Sequence, residues 1–252
     1  MKGSLFLVVG IMAMSCQSRE DLEEKKIPRV LIIGNSITYH PPDASIGWNA
    51  NWGMAASRPD LDYVSVLTDL LRNKHPLVEV KRENVYPFER GYDDFSFSTY
   101  AYLRDFRPDF LIVRLGENVD EEKLGEDAFK KALQDFVMYL SEGRKVDIIV
   151  TTTFWQNAPV SQQLIAAGAE SGWRIVHLSY LGQDDQYMAI GQFENDAASR
   201  HPNDLGMREI ATLIWEALNH KIKEAAFSRF FIFYSFSYSQ IRRISSPYHV
   251  EC

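Results

Sequence analysis

Ser36 and His201 are the two side chains whose types and positions could support nucleophilic chemistry. Ser36 directly follows the apolar run of residues 28–34, and His201 stands just before the last amphipathic segment of the chain. A serine hydroxyl becomes a nucleophile when a base with a pKa near 7 takes its proton, and histidine is a common base. Each residue alone has a more ordinary explanation, because serine often caps a helix and histidine is often a solvated loop residue. Together they predict a hydrolase.

Acyl transfer also needs N–H donors for the oxyanion of its tetrahedral intermediate, and the sequence offers three. The backbone N–H of Ser36 lies at a tight turn after the first apolar run. Asn118 carries a side-chain amide shortly after another apolar run, residues 110–113. Gly53 has a backbone N–H that a substrate can approach closely, because glycine has no side chain.

The elements that would position these residues alternate along the chain. Short apolar, β-branched runs predict strands at residues 28–34, 78–85, 110–113, 146–153 and 174–178. Segments with helical spacing of apolar residues predict helices at 61–73, 99–106, 121–141, 160–171 and 205–226. This alternation predicts an α/β fold, a three-layer αβα sandwich with a central parallel sheet of about five strands. Ligands bind such sheets at the carboxyl ends of the strands, where Ser36 and Asn118 would meet.

Four short blocks, in chain order, resemble the blocks of the SGNH (GDSL-like) hydrolase superfamily, named for Ser, Gly, Asn and His. They are Gly34-Asn35-Ser36, Gly53, Gly116-Glu117-Asn118 and His201-Pro202. The resemblance covers about residues 28–222, and the stretch Trp52-Gly53-Met54-Ala55-Ala56-Ser57 is similar to a bacterial, lipoprotein-type subgroup. Many members carry Asp where this chain has Asn35.

The resemblance implies a flavodoxin-like fold and a division of roles at the site. Ser36 would be the nucleophile and His201 the general base. The oxyanion hole would be the N–H groups of Ser36 and Gly53 with the side chain of Asn118. The implied activity is hydrolysis of acyl esters on carbohydrate, with acetyl a common acyl group and with no cofactor or metal. The implied partner is a small-molecule or polysaccharide ester, and an acyltransferase on the same site is an alternative.

The acid that orients the histidine in this superfamily usually stands three residues before it, and here that position is Ala198. Glu117, Asp196 and Glu194 are the candidates for this acid, in that order of preference. A backbone carbonyl that holds His201 in a Ser-His dyad is another. The missing acid also fits a decayed site, in which case the protein would be a carbohydrate-binding or accessory surface lipoprotein.

Three tryptophans near the predicted site have two interpretations. Trp48 and Trp52, four residues apart, stand just before the proposed oxyanion glycine, and Trp155 follows the fourth predicted strand. Aromatic faces beside such a site often stack on sugar rings, so these residues are candidate substrate contacts. They could equally pack the rim of the domain.

The amino terminus resembles an export signal. Lys2 precedes an apolar run, Leu5 to Met14, that is too short for a membrane span of ~20 residues but suits a signal peptide. Small residues precede Cys16, as in a bacterial lipoprotein signal. The predicted organisation is a signal peptide (1–16), a tether (17–27), the hydrolase domain (28–226) and an aromatic tail of unknown role (227–252). Lipidation of Cys16 would anchor the exported protein to a membrane, and an ordinary signal peptide would leave it secreted.

Composition excludes other classes of function. The formal net charge is -7 and no cluster of Lys and Arg forms a basic face, so nucleic acid is not an expected partner. The two cysteines stand at opposite ends of the chain and cannot build a disulfide framework. No histidine pair has metal-ligand spacing, and no glycine-rich phosphate loop is present.

Overall fold

A central sheet of five parallel strands runs through the computed structural model, which describes residues 28–219. The strands are β1 (Arg29–Gly34), β2 (Glu79–Asn84), β3 (Phe110–Arg114), β4 (Asp147–Thr151) and β5 (Arg174–Val176). Their order across the sheet is β2-β1-β3-β4-β5, and every neighbouring pair is parallel. The predicted sheet is confirmed.

Seven α-helices surround the sheet in the described part of the chain. They are α1 (Tyr63–Lys74), α2 (Tyr86–Gly91), α3 (Ala101–Arg104), α4 (Ala128–Ser141), α5 (Ala158–Ser171), α6 (Asp196–Ser199) and α7 (residues 204–219). The helix predicted at 121–141 is divided, because Gly125 takes a left-handed conformation (φ +53°) between a short 3-10 helix, Glu121–Lys123, and α4. The short helices α2 and α6 have no counterpart in the sequence prediction, since six and four residues give little periodicity.

The two faces of the sheet are both buried, as expected for a parallel sheet between helices. On β1, Val30 and Ile32 pack in a cluster with apolar residues of α1 and α7. Leu31 and Ile33 point the opposite way and pack in a second cluster, with residues of α2, α3, α4 and α5. The alternation along a single strand therefore builds the three layers, and the αβα sandwich is confirmed.

The strand order places a crevice between β1 and β3. After β1 the chain passes through α1 to β2 on one side, and after β3 it passes through α4 to β4 on the other. The carboxyl ends of two such strands form the usual ligand site of open α/β sheets. Ser36 follows the end of β1 and Asn118 follows the end of β3, so they flank this crevice.

Several predictions fall outside the described residues: the signal peptide 1–16, the tether 17–27, the end of the last helix beyond residue 219, and the tail 227–252. Within residues 28–219, no helix has the length and apolar character needed to cross a membrane.

Candidate active site

The Ser36 hydroxyl and the His201 imidazole lie within hydrogen-bonding distance of each other. Ser36 Oγ is 2.9 Å from His201 Nε2, although the residues are 165 positions apart. Ser36 sits in a tight turn in which the carbonyl of Asn35 accepts hydrogen bonds from the N–H groups of Thr38 and Tyr39. This turn leads from β1 into a loop, because the next α-helix begins only at Tyr63.

Backbone hydrogen bonds fix the segment that carries His201 between α6 and α7. The N–H of His201 donates to Ala198 O at 3.1 Å, and its carbonyl accepts from the N–H of Ala189 at 2.9 Å. The ring of Trp155 packs edge-on against the imidazole, with centroids 5.0 Å apart, and Trp155 Nε1 donates to Arg200 O. The imidazole is therefore held both by the main chain and by an aromatic wall.

The helix that follows His201 is capped by Asn203. Its side-chain Oδ1 accepts from the N–H groups of Leu205 and Gly206, both at 3.0 Å. Its Nδ2 donates to the carbonyls of Gln186 and Met188, each at 2.8 Å. One side chain thus joins the first turn of α7 to the loop that precedes the histidine.

A backbone carbonyl, and not a carboxylate, orients the imidazole. His201 Nδ1 lies 2.8 Å from Ala197 O. Because a carbonyl oxygen can only accept, Nδ1 must carry the ring hydrogen, and Nε2 is left with a lone pair facing Ser36. This tautomer can accept the serine proton. This geometry is the one expected of a Ser-His dyad, and the catalytic role of the pair stays a prediction.

The three carboxylates predicted as candidates for the acid lie elsewhere. Glu117 is paired with the buried guanidinium of Arg114. Asp196 is exposed and paired with Arg200, one turn along its own short helix. Glu194 is also exposed. Since Nδ1 of His201 is already bound to Ala197 O, the prediction that Glu117, Asp196 or Glu194 orients the imidazole is wrong.

Burial keeps the imidazole neutral. Desolvation lowers the pKa of His201 to about 4, and the positive charge of Arg114 acts in the same direction. The Ala197 carbonyl and the negative charge of Glu117 raise the pKa, but by less. His201 is therefore in its basic form at neutral pH.

Asn118 and Gly53 differ in their ability to stabilise an oxyanion. Asn118 lines the cavity beside Ser36, and its Nδ2 donates one hydrogen to Glu89 Oε2 at 2.8 Å, which leaves the second hydrogen for a ligand. The N–H of Gly53 donates to Asp62 Oδ2 at 3.1 Å, so its hydrogen is already used. The prediction that the N–H of Gly53 serves as an oxyanion donor is therefore wrong. The roles of the Ser36 N–H and of Asn118 stay predictions.

A buried polar network lies beneath the turn of Ser36. Arg114, at the end of β3, donates to Asn35 Oδ1 at 2.7 Å and is paired with Glu117. Asn35 Nδ2 donates to Glu117 Oε2 at 2.5 Å and to Glu89 Oε1 at 3.1 Å. An aspartate at position 35 would have no N–H to offer these carboxylates, which explains why asparagine suits this chain.

Glu89 is the member of this network that the sequence did not reveal. Glu89 lies on α2 and is fully buried. Burial and the nearby charge of Glu117 raise the pKa of Glu89 to about 6, against the hydrogen bonds from Gly116, Asn118 and Asn35 that lower it. No motif surrounds this glutamate; the one signal was its position beside Phe88 in a short, largely apolar segment.

A cavity of about 530 Å³ opens beside Ser36 and His201. It is lined by uncharged side chains together with two histidines: Ser36, Tyr39, His40, Pro41, Ile46, Met54, Asn84, Tyr86, Pro87, Asn118, Asn195, Ala197, Ala198 and His201. The volume lies within the ordinary range of small-molecule sites. The predicted site residues Ser36, Asn118 and His201 thus line one cavity together with aromatic and amide side chains.

None of the three predicted tryptophans lines this cavity. Trp48 is buried and packs edge-on against Trp52, with ring centroids 5.8 Å apart, in a small cluster with Met54 and Phe193. Trp155 packs against His201 from outside the cavity. Of the two interpretations left open by the sequence, the structure supports packing, and the aromatic residues that line the cavity are Tyr39 and Tyr86.

Metal coordination has no visible basis at this site. Within residues 28–219, no group of three or more His, Cys, Asp or Glu side chains is arranged to hold a metal ion.

Comparison with known proteins shows the fold. No protein-family model matches the chain, and no curated protein matches it. A solved structure of a two-domain esterase active on acetylated mannans, crystallised with mannopentaose, matches 77% of this chain at 19% identity, with a TM-score of 0.54. The chain spans about half of that protein, 49% of its length. The chain shares its fold.

An alpha/beta hydrolase enzyme from the metagenome of Lake Arreo, Spain, gives a similar result. It matches 75% of this chain and 94% of its own length at 19% identity, with a TM-score of 0.52. The chain shares the fold of this protein as well.

The His201 imidazole should stay neutral far below the usual histidine range. The unfolded chain takes up this proton near pH 6.5 and the folded chain near pH 4. Because the unfolded state binds more protons between these values, the free energy of unfolding should fall as the pH is lowered from 6.5 to 4. NMR titration of the histidine ring signals, assigned with His201→Gln, checks the first point. Denaturant unfolding of both proteins across this window checks the second, and a His201 signal that titrates near 6.5 contradicts both.

Proposed function

We propose that this protein is a serine esterase of the SGNH type that hydrolyses acetyl esters on carbohydrate. The observation that carries the proposal is the 2.9 Å contact between Ser36 Oγ and the unprotonated Nε2 of His201. The order of the four sequence blocks and the shared fold support it independently. A solvated loop histidine or a helix-capping serine would not require this pairing at the end of β1.

The reaction starts when Ser36 Oγ attacks the ester carbonyl carbon while its proton passes to His201 Nε2. The carbonyl π electrons move onto oxygen, and the Ser36 N–H and the free hydrogen of Asn118 Nδ2 stabilise this oxyanion. When the intermediate collapses, the ester C–O bond breaks and His201 returns its proton to the departing alcohol oxygen. Acetyl-Ser36 remains.

The second half repeats these steps with water. His201 Nε2 takes a proton from water as its oxygen attacks acetyl-Ser36. The new tetrahedral intermediate then expels Ser36 Oγ, which recovers its proton from the imidazolium. Acetic acid and the free enzyme result, and the acid loses its proton to solvent to give acetate. In both halves Ala197 O accepts a hydrogen bond from Nδ1–H of His201. This bond keeps the neutral ring in the same tautomer, and it stabilises the imidazolium in place of a carboxylate.

The cavity favours a neutral substrate. None of its fourteen lining residues is Lys, Arg, Asp or Glu, so the lining holds no permanently charged side chain to select a charged group. The rings of Tyr39 and Tyr86 offer apolar area with a polar handle, and Asn84 and Asn195 add amide groups. A neutral acetylated sugar fits this mixture. The mannan activity of the structurally similar esterase supports the same substrate class.

Ser36→Ala should abolish acetate release. The full-length protein and the variant would be compared on an acetylated aryl ester and on acetylated mannan, with Ser171→Ala on the far end of α5 as the matched control. We expect kcat to fall at least about 10³-fold in Ser36→Ala, since only oxyanion and binding contributions remain, and to be unchanged in the control. Equal background-level release from wild type and Ser36→Ala would contradict the proposal and favour a carbohydrate-binding protein with a decayed site.

Removing the exposed acids near the histidine should have little effect. Because Ala197 O occupies Nδ1, we expect Asp196→Asn and Glu194→Gln to keep kcat/KM within about twofold of wild type. His201→Ala should lower it by about 10²–10⁴-fold. Steady-state kinetics on the aryl ester measure all three. A loss in Asp196→Asn comparable to that of His201→Ala would show that this carboxylate orients the imidazole during turnover.

A further inference from the structure

The carboxylate of Glu89 accepts hydrogen bonds from residues on both sides of the crevice. Its Oε1 accepts from the N–H of Gly116 at 2.5 Å and from Asn35 Nδ2 at 3.1 Å. Its Oε2 accepts from Asn118 Nδ2 at 2.8 Å. The desolvation of a fully buried carboxylate is costly unless its oxygens accept hydrogen bonds, and these donors offset that cost.

We propose that Glu89 is a positioning residue, which fixes the side-chain amide of Asn118 so that its second N–H faces the cavity where the oxyanion forms. The inference rests on the proposed function, because it assigns Asn118 as an oxyanion donor. Glu89 does not line the cavity and would not touch the substrate. Its effect on the reaction would pass through Asn118.

The chemistry of the contact selects one orientation of the amide. Oxygen and nitrogen of an asparagine side chain have nearly the same shape, so packing alone does not distinguish the two flips. A carboxylate oxygen does, because it attracts Nδ2–H and repels Oδ1. With Nδ2 bound to Glu89, the other hydrogen on the same nitrogen remains for the cavity that Asn118 lines.

The backbone of the oxyanion loop is held from the same helix. Glu89 Oε1 accepts from the N–H of Gly116 and, at 3.4 Å, from that of Asn118. The next residue on α2, Arg90, donates from Nη1 to Asn118 O at 3.0 Å. Position 116 suits glycine, because its φ is +126° and a Cβ there would meet Thr153 and Leu164 at 3.0 Å.

Glu89 also links this loop to the nucleophile. Asn35 precedes Ser36, and its Nδ2 donates to Glu89 Oε1 and to Glu117 Oε2. One carboxylate therefore touches the residue before the nucleophile and the predicted oxyanion donor.

The positioning role can be tested without turnover. In ¹⁵N-labelled full-length protein at constant pH, the Asn118 side-chain signals, assigned by their absence from Asn118→Ala, should include one downfield proton that exchanges slowly, since its acceptor is a carboxylate. That proton should lose its downfield shift and its protection in Glu89→Gln, and stay unchanged in the control Glu170→Gln. Asn118 signals that are the same in wild type and Glu89→Gln would overturn the inference.

Kinetics test the consequence. We expect Glu89→Gln to lower kcat about 10–10²-fold with KM within about twofold, and Asn118→Ala to lower it by about 10²-fold or more. The double variant Glu89→Gln/Asn118→Ala should be no slower than Asn118→Ala, because Glu89 acts through that side chain. Losses that multiply, or an unchanged kcat in Glu89→Gln, would overturn the inference.

The two proposals can fail separately. Absence of Ser36-dependent turnover in the wild type would remove the proposed function, and the NMR comparison would still decide whether Glu89 fixes Asn118. Thermal unfolding checks that each variant folds. If Glu89→Gln does not fold, Glu89→Asp replaces it, since it keeps the charge but withdraws the carboxylate by one methylene, and the same loss of the Asn118 contact is expected.

Discussion

The contact between Ser36 and His201 depends on the alignment of a parallel sheet with a loop that closes over its edge. β1 delivers Ser36 to the crevice beside β3, and the segment between α6 and α7 brings the imidazole to 2.9 Å from its hydroxyl. Neither partner is placed by its own element alone. Burial then decides the chemical state of the pair, because a desolvated imidazole with Nδ1 bound to a carbonyl is neutral and presents Nε2 as a base.

A buried polar network, and not apolar packing, lies beneath this contact. Glu117 is paired with the buried guanidinium of Arg114, and Asn35 is hydrogen-bonded to Arg114, Glu117 and Glu89. Such a group is expensive to bury, and removing one member would leave the others unpaired. Its benefit is directional: apolar packing could not fix the orientation of an amide or hold a loop N–H, as hydrogen bonds do.

The sequence predicted the sheet well, because buried parallel strands such as β1 and β3 are continuous apolar runs and the helices between them have clear periodicity. It placed Ser36, Asn118 and His201 at one edge through the order of their motifs. It could not identify Ala197 O as the partner of the imidazole or Glu89 as the partner of Asn118, since a carbonyl has no sequence signature and Glu89 lies 29 positions from Asn118. The same limit applies to Gly53 N–H, which Asp62 occupies through a tertiary contact.

The central claim is that His201 activates Ser36 as a nucleophile, and covalent labelling tests it most directly. Full-length protein would be treated with a fluorophosphonate and analysed by intact mass and peptide mapping, beside Ser36→Ala and His201→Ala. We expect one adduct, on Ser36, which is absent from Ser36→Ala and formed far more slowly in His201→Ala. Folded wild-type protein that stays unlabelled, or that reacts equally fast without His201, would contradict it.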